Sequence, residues 1–377
     1  VISVERVDRD RRGMRAFIDL PYRLYEEDVH WVPPLRLERR RFFSSRNPFL
    51  KHGRVACFLA RRGGQVVGRV TAHVDDLYNR CRNGTTQGFF GFYESVEDIA
   101  VARELMEAAE TWLRSRGMNV VMGPFNFSTN HEVGFLTEGF DYPPAVLMPH
   151  TKPYYPGLFH QLGYGMEKEL LAYWLGDVTE PTRSIGRVAD RVLRRWGDRI
   201  EIRNMTKRGL ASQLRIVLDV YNEAWGRNWG FVPMTEEEIA DMARDLKLTV
   251  DPDITFIIYI DGEPAAFLIG LPDINRALAH VPDGRLLPTG IFRLFSSLRR
   301  LTTIRVPLMG VKSRYRKQGL DLLLYHLVFR DSLTKTPYRN VEMSWILEDN
   351  MMMRSALRRM GAHVYKRYAI LGKSLEM

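Results

Sequence analysis

The chain has 377 residues, 45% of them hydrophobic, and Lys plus Arg outnumber Asp plus Glu by 55 to 45. That length exceeds the ~100–200 residues of a single domain, and the apolar content is enough for two cores, which excludes a disordered or fibrous chain. Two cysteines, Cys57 and Cys81, supply neither a disulfide framework nor metal-ligand spacing, and no run approaches the ~18 apolar residues of a membrane span.

A reducing, cytoplasmic setting is therefore expected, with no metal. The N-terminal "VISVERVDRDRRGMR" carries charges where a signal peptide needs an apolar core. A net charge of +10 suits an anionic partner. Because that charge is spread along the chain, it does not select a nucleic acid over a small anionic ligand.

In chain order, a short strand is expected at Ile2–Val7, an amphipathic helix around Met14–Glu26, and then the Pro-rich "HWVPPLRLERR". "VACFLARR" and "QVVGRVTAHV" read as strands joined in a hairpin by Gly63–Gly64. "QGFFGFYES" is a further strand. The helix "ARELMEAAETWLRSRG" sets Leu105, Met106, Ala109, Trp112 and Leu113 on one face and ends at Gly117. The strand "NVVMGPF", a long loop and the short helix "YYPGLFHQLGY" follow.

The second half repeats that order. "RIEIRNM" is a strand, "ASQLRIVLDVYNEAW" and "TEEEIADMARDL" are helices, and "ITFIIYIDGEPAAFLIGL" is a hairpin turned at Asp261–Gly262. Then come the strand "IRVPLMGV", the helix "LDLLLYHLVFRDSLTK", the strand "NVEMSWILE", the helix "NMMMRSALRRMG" and a last strand, "HVYKRYAIL". Trp31-Val32-Pro33 stands beside Phe231-Val232-Pro233, and Gly163 and Gly361 each close a short helix. The pattern reads as a diverged duplication: domains at 1–175 and 199–377, joined by a basic, solvated helix within 176–198.

Each half resembles the GNAT acyltransferase superfamily, and two halves in one chain resemble its tandem members. The implied fold is α/β, two domains that each flank a mixed, mostly antiparallel sheet with helices. The resemblance is most specific at Arg316-Lys317-Gln318-Gly319-Leu320-Asp321, which matches the family loop Arg/Gln-x-x-Gly-x-Gly/Ala except at Asp321. In that family the loop holds the pyrophosphate of acetyl-CoA on the amides of the next helix. A helix N-terminus favours anions for the reasons that hold anywhere: unpaired N–H donors and a positive dipole end. The resemblance thus implies acetyl-CoA or another acyl-CoA as co-substrate, held by Met309, Val311, Arg316, Lys317, Gln318, Gly319 and Leu320. Asn350, which opens the helix "MMMRSALRRMG", completes the set.

The family's proton-donating Tyr, four residues before the closing Gly, is Leu357 here and Phe159 in the first half; neither transfers a proton. Glu342, alternating with Ser344 and Ile346 along its strand, is the candidate base. The first half has no phosphate loop, "VEDIAVA" standing in its place. It has instead the loop 123–144, whose Asn126, Asn130, His131, Glu132 and Glu138 are candidates for binding an acceptor, with His131 a second candidate acid or base.

The expected activity is acyl-CoA-dependent N-acyl transfer, in the first instance acetyl transfer, to a small-molecule or peptide amine. Two alternatives stay open. One is a GNAT-derived sensor without catalysis, and the other is a Fem-like aminoacyl or peptidyl transferase, although the coiled-coil insertion of Fem proteins has no counterpart here.

Overall fold

A computed structural model describes residues 1–82, 84–226 and 228–375. The chain forms two compact units, one of residues 1–170 with 278–294 and 366 onward, the other of residues 171–277 with 295–365.

The first unit begins with β1 (Ile2–Arg6), α1 (Arg11–Leu24) and α2 (Arg36–Phe42). Helix α1 starts three residues ahead of the sequence expectation because Asp10 caps it, accepting from the N–H groups of Arg12 at 3.0 Å and Gly13 at 2.6 Å. Then come β2 (Gly53–Arg62), β3 (Gln65–Asp75), α3 (Asp76–Cys81), β4 (Gln87–Ser95), α4 (Ile99–Arg114) and β5 (Val120–Gly123). The β2–β3 hairpin turns through Gly63 and Gly64, both at positive φ (55° and 80°), which only glycine adopts without strain. The apolar stripe of α4 from Val101 to Leu113 is buried in the core with Ala56, Val70 and Phe90. β6 (Phe135–Glu138), α5 (Tyr155–Gln161) and β7 (Gly165–Leu175) close this stretch.

The second half supplies α6 (Thr179–Trp196), β8 (Ile200–Asn204), α7 (Leu210–Trp225), α8 (Glu236–Thr249), β9 (Thr255–Ile260) and β10 (Glu263–Pro272). It continues through α9 (Asn275–Leu278), α10 (Gly290–Leu298), β11 (Thr303–Val311), α11 (Leu320–Lys335), β12 (Asn340–Leu347), α12 (Met351–Arg359) and β13 (His363–Ser374).

The duplication is visible in the pairing. In the first unit β1, β2, β3 and β4 are successively antiparallel, and β4–β5 is parallel. In the second β8, β9, β10 and β11 repeat this, and β11–β12 is parallel. The parallel pair needs a crossover, which α4 and α11 supply. The first unit adds β13 beside β5, and β6 also pairs with β13.

Helix α6 is only half solvated. Pro181, Ile185, Ala189 and Val192 recur at helical spacing and are buried, facing α11, while its arginines stay outside. Its basic residues made the whole helix look solvated; the apolar stripe beneath them is what places it.

Candidate functional site

Strand β11 is held differently on its two edges. Toward β10 the ladder continues to Val311 opposite Ala266, whereas toward β12 it runs only from Thr303–Asn340 to Val306–Met343. The β10 register also shifts, with Ile269 opposite Leu308 but Leu271 opposite Arg305. Pro307 lies in that bulge. It has no N–H to give to a ladder, and a bulge bends its strand, so the two parallel strands part there.

Just below the parting, Arg305 and Glu342 sit on one rung of the parallel ladder. Arg305 Nε lies 3.3 Å from Glu342 Oε2, and both side chains are buried. Arg305 also donates to the Ser344 carbonyl at 3.3 Å and stands 5.2 Å from the Trp345 ring. The sequence-predicted base is therefore half of a buried ion pair. Beyond the parting, the half-buried Pro307, Leu308 and Met309 on β11 and Trp345, Ile346 and Leu347 on β12 give it mainly apolar walls. The Met309 carbonyl accepts from Trp225 Nε1 at 2.9 Å.

β11 leads through a 3-10 turn, Ser313–Tyr315, into α11. Most cations of this loop have partners. Lys312 Nζ reaches Asp219 at 2.5 Å, Arg314 pairs with Glu263, and Arg316 Nη2 donates to the Ala224 carbonyl at 2.6 Å. Gln318 Nε2 donates to the Arg314 carbonyl at 2.9 Å, tying the turn to itself. Lys317, at φ 60°, is exposed and bonded to nothing among the described residues.

Gly319 is the N-cap of α11 at φ 83°, and no side chain caps the helix. Asp321 lies in the first turn without making the cap that a carboxylate there can make. Among the described residues, no side chain caps the leading amides of α11. In the first unit, the matching helix α4 is closed by Asp98, whose Oδ1 accepts from the Ala100 N–H at 2.8 Å. One repeat has stoppered its helix with its own carboxylate and the other has not.

A side chain at Gly319 meets two obstacles: the positive φ, and a Cβ that would lie 2.8 Å from Val192 Cγ2 on α6. Gly319→Ala should cost roughly 1–2 kcal/mol. The check is the midpoint of urea unfolding, and an unchanged midpoint would mean that the loop relaxes freely.

Asn350 caps α12, its Oδ1 accepting from the Met353 N–H at 3.2 Å. Met351 and Met352 beside it are exposed. Leu357 is fully buried on the same helix. Phe159 is packed in an aromatic cluster with Phe90, Tyr93 and Phe135 at 4.8–4.9 Å. The hydroxyl that does reach α12 is that of Tyr325, 3.8 Å from Met353 Sδ; burial raises its pKa and keeps it protonated.

The loop of the first unit is more structured than its sequence suggests. Phe125 bridges to Val133, and Phe135–Glu138 forms β6. Asn126 Oδ1 accepts from the Phe92 N–H at 2.8 Å, and its Nδ2 donates to Glu132 Oε2 at 2.7 Å. Glu132 Oε1 meets Arg39 Nη2 at 2.8 Å. Burial pushes the Glu132 carboxyl up, but the charge and hydrogen bonds of Arg39 and the Asn126 bond outweigh it, so its pKa ends below the usual value. Asn130 and His131 fold onto Ser128, with His131 Nδ1 3.4 Å from its Oγ and the ring edge-on to Phe42. Glu138 is elsewhere, paired with Arg367 at 2.9 Å. Asn126 and Glu132 thus share one network with Arg39, while Asn130 and His131 share a turn.

Sequence reasoning passed over Arg305, Pro307 and the stripe of α6. Pro307, a proline inside an otherwise clear strand, was the one available signal.

The chain is 39% identical to Protein YghO of Escherichia coli K12 over 373 residues, covering 97% of this chain and 94% of that protein. It is 36% identical to the bacterial ceramide synthase of Caulobacter vibrioides over 369 residues, covering 96% and 95%. Among solved structures it matches a tandem GNAT protein from the clavulanic acid biosynthesis pathway with a TM-score of 0.57 at 13% identity, covering 100% of this chain and 99% of that one. No family model matches.

Proposed function

The chain belongs to the family of YghO and the Caulobacter bacterial ceramide synthase and has the tandem GNAT fold, and from that premise we propose that it is an acyl-CoA-dependent N-acyltransferase acting on a long-chain amino alcohol. The observation that carries the reading is the open N-terminus of α11 at Gly319, set against its stoppered counterpart α4.

The phosphates of an acyl-CoA fit that turn. Unpaired amides and a positive helix end meet them, glycine lets the backbone approach, and Lys317 and Arg316 add charge. Asp321 opposes them from the first turn of the helix, while Asp219 and Glu263 are paired with Lys312 and Arg314. The acyl thioester supplies the activated carbonyl, and the parting of β11 and β12 gives its arm unpaired backbone and apolar side chains to lie against. The acceptor nitrogen forms the amide as the C–S bond breaks, and the amine's proton leaves with the thiolate to give the free thiol. Glu342, tied to Arg305, acts as a positioning residue that holds the two strands where they part.

The acceptor class is supported by the relative's name, since a ceramide is the amide of a long-chain amino alcohol. The apolar walls of the parting and the exposed Met351 and Met352 favour a long acyl chain over acetyl.

The test is thiol release from palmitoyl-CoA in the presence of sphinganine, with the amide product read by mass spectrometry. Thiol and amide should appear together, and acetyl-CoA should be the poorer donor. Lys317→Ala should raise KM for the acyl-CoA about tenfold, the loss of one charge-assisted contact of ~1.5 kcal/mol. Lys317 is bonded to nothing among the described residues, so the variant's stability should not change. Binding of acyl-CoA without thiol release on any amine would favour the sensor reading, for which the buried Leu357 in place of a hydroxyl is the supporting observation.

A further inference from the structure

The segment between β10 and β11 belongs to none of the motifs above. After Asp283, residues 284–302 of it hold four arginines and no acidic residue. Within it, α10 buries only Gly290. Phe292 and Phe295, three residues apart on one face, are 75% and 61% exposed, and Leu287 just before the helix is 75% exposed. Single exposed apolar residues need no explanation, but three large ones within nine residues, ringed by cations, mark a surface that something covers.

We propose that α10 docks this protein on an anionic phospholipid surface, its phenylalanines entering the acyl boundary and its arginines reaching the lipid phosphates. Charge complementarity selects this occupant. Helix α10 ends at Leu298 and Arg299 and Arg300 follow in the turn, both exposed, so a helix lying flat sinks the rings of Phe292 and Phe295 while the two arginines just past its C-terminal end reach the headgroups. A second copy of the chain is the poorer partner. A twofold contact through this face sets the exposed Arg299 and Arg300 of one copy against those of the other, and the nearest acid before the helix, Asp283, lies seven residues ahead of its first residue. The helix spans about 13 Å, far short of the ~30 Å hydrocarbon core, so it lies on a bilayer. No helix among the described residues is long and apolar enough to cross a membrane.

This inference goes beyond the reaction proposed above, and its test needs no turnover. The full chain is floated with phosphatidylcholine vesicles with and without phosphatidylglycerol, alongside Phe292→Ser/Phe295→Ser and Arg299→Gln/Arg300→Gln variants. The wild type should float with the anionic vesicles only. The Phe pair should lower the bound fraction about tenfold or more, with the melting curve unchanged because neither ring is packed in the fold. The Arg pair should weaken binding and reduce its sensitivity to salt. Failure of the wild type to float would overturn the proposal, as would a Phe variant that binds like the wild type. A dimer in solution that the Phe pair dissociates would also overturn it, making this face a contact between copies.

Discussion

Arg305→Met, with Glu342 left in place, should destabilise the protein by about 3–5 kcal/mol, because it leaves a carboxylate buried without its counter-charge. Arg305 is 2% exposed and Glu342 0%, so water cannot take over the role of the guanidinium. Removing both charges, in Arg305→Met/Glu342→Leu, should recover most of the loss, since apolar side chains of similar volume commonly replace a buried pair at little cost. Urea unfolding of the wild type, the single and the double variant measures this. Equal losses in single and double would show that packing, rather than charge, is what the pair provides. The double variant also tests chemistry: were Glu342 the base, its turnover would fall ~10²–10⁴-fold with the fold intact, whereas a positioning role predicts a smaller loss.

Acidification should produce the second large effect. His73 is buried beside Phe49, Phe89 and Phe127, and that burial lowers its pKa to about 3. Burial likewise lowers His150 to about 4, against the opposing pull of Asp28 at 3.3 Å. Both imidazoles are neutral in the folded state and titrate near 6.5 when unfolded, so between those values the unfolded chain binds more protons. Stability is therefore unaffected well above pH 6.5 and falls as the pH drops toward 4 and 3. By pH 4.5 the two together should have cost on the order of 5 kcal/mol. The lowered pKa of Glu132 adds to the loss below its unfolded value. Glu94 works the other way, because burial raises its pKa and the folded state takes up its proton first. Urea midpoints from pH 7.5 to 4.5 test the balance, and His73→Phe should flatten the curve. A profile that stays level to pH 4.5 would contradict the neutral-histidine account.

The strands and helices that carry the duplication were legible because each has its own signal. Gly63–Gly64 and Asp261–Gly262 announce hairpins, Leu105 to Leu113 announces a helix, and the strand, loop and helix around Gly319 follow in the expected order. What the sequence could not show depends on partners far along the chain. The alternation around Glu342 marks a strand, but nothing nearby names Arg305 as its neighbour. The arginines of α6 mask the four-residue stripe that turns it onto α11. Polar residues at 126–138 suggested a ligand site, and the Asn126–Glu132–Arg39 network shows that part of that polarity serves the loop's own hydrogen bonds. Helix α10 is amphipathic but only nine residues long, too short to stand out, although the charge bias around it was in plain view.

The pairing of β13 with β5 and β6 has a consequence during synthesis. The first 170 residues leave the ribosome with five strands, β1 to β5, already able to pair, yet the strand that completes their sheet begins near Lys366, almost 200 residues later. At ~5–20 residues per second that interval lasts roughly 10–40 s, during which the outer edge of β5 has no ladder to join. An open edge of this kind recruits strands from other nascent chains. Yield in the cell should therefore depend on translation speed and on chaperones that occupy the edge, more than on the stability of the finished protein.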